Sequence, residues 1–191
     1  MENRKILNRS ENKKLNIENN KPGEFVLYIG IVVVAVLARL LPHLPNLTPI
    51  TGLALFSGAS SKNKGWLLVP LVAMFISDIF LGFHITMPFV YGSFFVITLF
   101  GSFINNSSRP KSLFIFSIFS SLFFFIVTNF GVWATSTMYT KNLQGLLSSY
   151  LMGIPFLKNA VLGDIIYTTT FFYGYRLFAY FILNKKAVTK A

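Results

Sequence analysis

Few side chains of this sequence could do chemistry, and most of those lie inside apolar runs. Arg39, Asp78, Asn129, Lys158, Asn159, Asp164 and Arg176 are each embedded in stretches rich in Leu, Ile, Val and Phe. A charge held at the centre of a bilayer costs roughly 2.5–3.5 kcal/mol on insertion scales, so an ionisable residue in such a run is read first as part of a site. Trp133 follows Asn129 by four positions and shares its helical face. Leu157, Ala160, Asp164, Tyr167, Thr168 and Phe171 share another face by the same rule. Together these residues can line a polar chamber with aromatic walls. Arg39, Asp78, Asn129, Trp133, Lys158, Asn159, Asp164 and Tyr167 are the candidate substrate-binding set.

Each candidate also has a plainer role. Arg39 and Lys158 can reach headgroups through their long stems, as Arg176 can on the opposite side. Asp78 and Asp164 are too short for that, which favours an internal role, either in a ligand contact or in an ion pair with Arg39 or Lys158. Asn129 can bridge helices and Trp133 can anchor at an interface.

The chemistry such residues could perform is binding, not catalysis. The chain has no cysteine, which removes thiolate nucleophiles, disulfides and cysteine metal sites. His43 and His84 have no partnering carboxylate cluster, and HExxH spacing is absent, so no metal is expected. There is no GxSxG and no phosphate-binding GxxxxGK[ST] loop. Gly163-Asp164 gives one Gly-Asp dipeptide, but Asp78 follows Ser77, so the paired motif of an intramembrane aspartyl protease is missing. No cofactor is implied, and the chain is not expected to be an enzyme.

The elements that must position these residues are membrane helices. At 53% hydrophobic, 17% aromatic and 12% charged, with mean hydropathy +0.60, 191 residues carry too much apolar surface for a soluble domain. Runs long enough for a ~30 Å hydrocarbon core are Glu24–Leu41, Gly65–Gly82, Met87–Ile104, Ser112–Ala134 and Phe156–Leu183. Between the first two lies Pro49–Ser60, too short to cross unaided, with Thr48 as a cap and Pro49 at a favourable starting position. If it crosses as a shortened second helix, the basic residues partition cleanly. Six in residues 1–23, then Lys62 and Lys64, Arg109 and Lys111, and Lys185, Lys186 and Lys190 fall on one side, with only Lys141 in the opposite loops. That asymmetry predicts an all-α membrane protein of six transmembrane helices with both termini cytoplasmic.

The net charge of +11 therefore reads as orientation signal and attraction to anionic lipid, not as a nucleic-acid surface. Residues 1–23 read as a disordered basic tail, 24–184 as the helical domain and 185–191 as a second basic tail. Tyr139–Pro155 is too interrupted to span, and its Leu143, Leu146, Leu147, Tyr150 and Leu151 predict a short amphipathic helix or lid on the outer surface. Small-residue pairs four apart, Ala54 with Gly58, Ala73 with Ser77 and Ser117 with Ser121, allow close helix approach.

Four stretches carry a family resemblance. They are Ala38-Arg39-Leu40-Leu41-Pro42-His43 running on through Asn46 to Ala59, Ser77-Asp78-Ile79-Phe80-Leu81-Gly82-Phe83-His84, Thr128-Asn129-Phe130-Gly131-Val132-Trp133, and Gly153-Ile154-Pro155-Phe156 with Lys158-Asn159 and Leu162-Gly163-Asp164. Over residues 25–175 the chain resembles an uncharacterised bacterial membrane family described as transport proteins. In length, helix count and short second helix, that family is similar to the substrate-binding (S) components of energy-coupling factor transporters. The resemblance implies an S-component-like bundle that captures a small polar metabolite or vitamin from outside, with a transmembrane coupling subunit and ATPases as partners. S components often carry Ala-x-x-x-Ala in the first helix for docking, whereas here Ala35 is followed four residues on by Arg39. Docking and stand-alone operation therefore both stay open, as does a non-transporting cell-envelope scaffold whose buried charges lock helix packing.

Overall fold

The computed structural model describes residues 21–42, 44–60, 64–104 and 110–188. Among them the architecture is all-helical, with six α-helices: α1 (Lys21–Leu40), α2 (Ile50–Ser60), α3 (Val69–Leu81), α4 (Met87–Gly101), α5 (Pro110–Thr135) and α6 (Leu143–Val188). A 3-10 turn, Lys64–Leu68, leads into α3. The basic tail through Asn20 lies outside the described residues, as do His43, Lys62 and Arg109.

The helix order is the expected one, but the bounds differ in ways the local chemistry explains. Helix α1 begins at Lys21, inside the stretch assigned to the tail, with Pro22 near its start, where a missing N–H costs least. Pro70 delays regular α-helix in the third run, leaving 13 residues, and α4 ends at Gly101 after 15. At 1.5 Å per residue these helices are about 20 and 22 Å long, against about 39 Å for α5. By length and composition together, α5 is the one described helix apolar and long enough to cross a membrane; Ile29–Leu40, Ile50–Ser60, Trp66–Leu81 and Met87–Gly101 are shorter apolar helices.

The largest departure is Tyr139–Pro155. It is no separate surface helix, because from Leu143 onward it forms the first turns of the 46-residue α6, which runs through Pro155 without a break in assignment. The face that packs inward is also not the leucine face. Leu143, Leu147 and Leu151 are exposed, whereas Gly145, Ser149 and Gly153, spaced by four, are buried. A Cβ on Gly153 would sit 2.5 Å from Asn129 Oδ1 and 2.8 Å from a Phe125 ring carbon, so α5 approaches there through the absence of a side chain.

The same inversion holds throughout. Phe80, Phe103 and Ile115 are 72%, 77% and 64% exposed, while Ser77, Thr98, Ser117, Ser120 and Ser121 are almost wholly buried. Several buried hydroxyls are satisfied within their own helix by the carbonyl four residues back, as in Thr98 to Phe94 and Ser117 to Leu113. At the centre stands α2, buried from Ile50 to Gly58 and packed against α3, α4, α5 and α6. Its closest neighbour is α4, since a Cβ on Gly58 would overlap the Thr98 carbonyl and come within 2.8 Å of Gly101 Cα. Phe56 completes the core, its ring edge-on to Phe172 and Tyr175 at 5.5 Å from each.

Candidate functional site

Above the start of α2 is a cavity of about 490 Å³. Its floor is Ile50 and Thr51, the first turn of the short helix, and its walls come from the loop before α2, from α4 and α5, and from α6 between Ser149 and Asp164. The wall is mostly apolar and aromatic, with Phe94, Phe124, Phe156 and Val90, and carries a few polar groups in Arg39, Thr128, Asn129 and Asp164. Met138 and Tyr139, from the loop between α5 and α6, and His84, from the loop between α3 and α4, also contribute to the lining.

Of the eight candidates, Arg39, Asn129 and Asp164 meet at this cavity. Asp164 is 2% exposed. It accepts a 2.5 Å hydrogen bond from the Ser121 hydroxyl on α5, and the Thr51 hydroxyl at the start of α2 is close enough to act on it. One carboxyl thereby ties together α2, α5 and α6. Asn129 donates its amide hydrogen to the Phe125 carbonyl at 2.8 Å, and the Ser149 hydroxyl reaches the Asn129 carbonyl at 3.4 Å.

Asp78 sits one shell back. Arg39 Nη2 lies 2.7 Å from its Oδ1, and the Tyr91 hydroxyl donates to its Oδ2 at 2.7 Å. The other guanidinium nitrogen of Arg39 donates to the Ser77 hydroxyl at 2.6 Å and to the Met74 carbonyl at 3.2 Å. Both Asp78 oxygens are thus engaged by protein groups, and the carboxylate is 2% exposed and absent from the cavity lining. Gly82, at φ +93°, ends α3 one turn later with its N–H on the Asp78 carbonyl. An L side chain would strain that backbone.

The remaining four serve the cavity's frame or stand apart from it. Trp133 donates from its indole nitrogen to the Thr140 carbonyl at 2.9 Å, and Lys141 donates back to the carbonyls of Trp133 and Ser136. This brace holds the loop that delivers Met138 and Tyr139. The Lys141 ammonium also explains itself there, since it caps free carbonyls at the C-terminal end of α5. Asn159 donates to the Pro45 carbonyl at 3.1 Å and fixes the turn before α2, a turn whose Asn46 has a left-handed φ of 63°. Lys158 is exposed, and Tyr167 is half-buried one turn beyond Asp164 with its backbone against Gly52.

Reasoning from sequence missed Thr51, Ser121, Tyr91 and the aromatic wall of Phe94, Phe124 and Phe156. Ser121 was visible only as half of a small-residue pair. Nothing in local spacing tells which hydroxyl meets a carboxylate 43 residues away.

With this geometry in view, comparison with known proteins adds one result. Residues 19–187 match a family of unknown function, DUF6580. The chain belongs to that family. No curated protein and no solved structure gives a match.

Proposed function

We propose that this DUF6580 protein is a multi-pass protein of the bacterial inner membrane that binds a small solute in the α2 cavity as a step in its uptake. The observation that carries the reading is the cavity itself: about 490 Å³, within the roughly 300–1,000 Å³ of small-molecule sites, mostly apolar with a few convergent polar groups. Membrane embedding is supported by the inverted side-chain distribution, with large apolar residues such as Phe80 and Phe103 outward and hydroxyls inward. In water that outer surface would far exceed the apolar patches of soluble monomers, whereas lipid solvates it at no cost. Self-satisfied backbone in six helices suits the same solvent.

Operation in the manner of an energy-coupling factor S component is the finer form of this proposal. The short second helix, buried from Ile50 to Gly58, supports it. The face of α1 that carries Ala35 and Arg39 is turned inward onto α3, with Ala35 wholly buried and Arg39 bonded to Ser77 and Asp78. Any coupling subunit would therefore dock elsewhere, on the outward face that includes Val33, Val34 and Leu37.

The test is native mass spectrometry of protein purified gently from membranes, alongside an Ala160→Phe variant. Ala160 lines the cavity and is 5% exposed, so a phenyl ring there fills solute space. The expected result is a small molecule released from the wild type and absent from the folded variant. The same mass on both proteins, or none on either, overturns the reading. Copurified ATPases would separate an S component from a stand-alone carrier.

A second reading, a non-transporting envelope scaffold, is favoured by one observation: the Arg39–Asp78–Tyr91 cluster is fully self-satisfied and needs no ligand.

A further inference from the structure

The chain contains six acidic residues, and four of them, Glu2, Glu11, Glu18 and Glu24, precede residue 25. The whole of the bundle beyond that point holds two: Asp78 and Asp164. Their surroundings differ. Asp78 is matched by the Arg39 guanidinium at 2.7 Å, so that pair is neutral as a unit although Arg39 borders the cavity. Asp164 has hydroxyl partners, Ser121 and Thr51, but no cationic side chain within salt-bridge distance among the described residues. Lys158, the nearest lysine in sequence, is exposed and does not line the cavity.

The geometry points to a protonated amine as the solute's recognised group, its ammonium on Asp164 and its apolar body against Phe94, Phe124 and Phe156. This deepens the solute-binding reading and rests on it. Three features converge. The carboxyl at the cavity's deep end is the acid there without a counter-ion. The N-terminus of α2 beneath it supplies only about half a positive charge, which lessens but does not cancel a full negative one. The phenyl rings of the chamber wall, Phe94 and Phe124 in contact with centroids 4.9 Å apart, supply the apolar surface against which the rest of such a solute packs. A carboxylate solute would instead meet a like charge in a poorly solvated chamber, while Arg39, the arginine in its lining, already serves Asp78.

The discriminating experiment uses the full chain in lipid nanodiscs and three probes that share a phenyl group: phenethylamine, 2-phenylethanol and phenylacetate. Affinities are measured by calorimetry at neutral pH, where the amine is cationic. Phenethylamine is expected to bind at least tenfold more tightly than the alcohol, with phenylacetate weakest. In Asp164→Asn the amine should lose at least tenfold while the alcohol is unchanged. The ranking of the three probes on the wild type decides the matter even if that variant does not fold. Equal binding of alcohol and amine, or preference for phenylacetate, overturns the charge assignment and leaves the cavity reading standing. Binding of none of the three also overturns it, and the solute-binding reading is then judged separately by the mass released from purified protein.

Discussion

Asp78 and Asp164 are the same residue type at the same burial, yet their replacement by asparagine should have opposite consequences. Asp78→Asn removes the counter-charge of Arg39 while keeping volume and a hydrogen-bonding group for Tyr91. The guanidinium, 15% exposed, is left with Ser77 and the Met74 carbonyl as its partners. Removing one member of a buried pair typically costs about 3–5 kcal/mol, because the survivor's charge is uncompensated. Partial exposure of Arg39 at the cavity wall puts the expectation at the low end, about 3 kcal/mol. For a chain of this length that corresponds to a fall in melting temperature of about 6–12 °C.

The double variant Arg39→Met with Asp78→Asn should recover much of this, since no unpaired charge remains, giving a coupling energy of about 2 kcal/mol in a double-mutant cycle. Asp164→Asn, by contrast, strands no cation. It retains an acceptor for Ser121 and should cost about 1 kcal/mol, while weakening amine binding at least tenfold. The assay is thermal unfolding in one detergent, with and without added phenethylamine. If Asp78→Asn melts like the wild type, or if the double variant is no better than Asp78→Asn, the cluster is not the internal brace described. If Asp164→Asn collapses the fold to the same degree as Asp78→Asn, both acids are scaffold and the site reading falls.

Two further outcomes test the frame. Gly58→Ala should destabilise by about 1–3 kcal/mol through overpacking against α4, whereas Gly92→Ala, where a Cβ meets nothing within 4 Å, should be neutral or stabilising; equal melts would refute the close α2–α4 approach. Because the chain lacks cysteine, single-cysteine labelling is clean: Lys62→Cys should react only from the cytoplasmic side and Met138→Cys only from outside, and labelling of both from one side would overturn the proposed topology.

How much of this was legible beforehand depends on the range of the cause. The start of α2 was legible to within a residue from Thr48 and Pro49, because a helix start is a local event; the helix begins at Ile50, one residue after the expected Pro49, and its first turn closes with Leu53 N–H on the Pro49 carbonyl. The burial of Ala54 with Gly58, and of Ser117 with Ser121, followed from small residues at a four-residue repeat. The segment before Pro155 was misread for an instructive reason. Its interruptions and its leucines at helical spacing fit a short surface helix, and they fit equally the outward face of a longer helix that runs on through Pro155. Gly145, Ser149 and Gly153 were equally visible at the same spacing. The partners of the two acids were not legible, because each is chosen by how separate helices meet, and spacing within one helix carries no information about that.

The cavity itself has a simpler origin than any of its lining residues. Helix α2 has 11 residues and is about 16 Å long, while α5 beside it is about 39 Å. A short helix surrounded by longer ones fills only part of the bundle's height. Phe56, edge-on to Phe172 and Tyr175, closes the part it does fill. The remainder, above Ile50 and Thr51, must either collapse or hold something. Collapse is opposed by the loop before α2, pinned to α6 by Asn159, and by the α5–α6 loop, braced by Trp133 and Lys141. A helix that stops halfway therefore makes a chamber, turns its positive end into it, and sets there Asp164, the acid that no cation among the described residues answers.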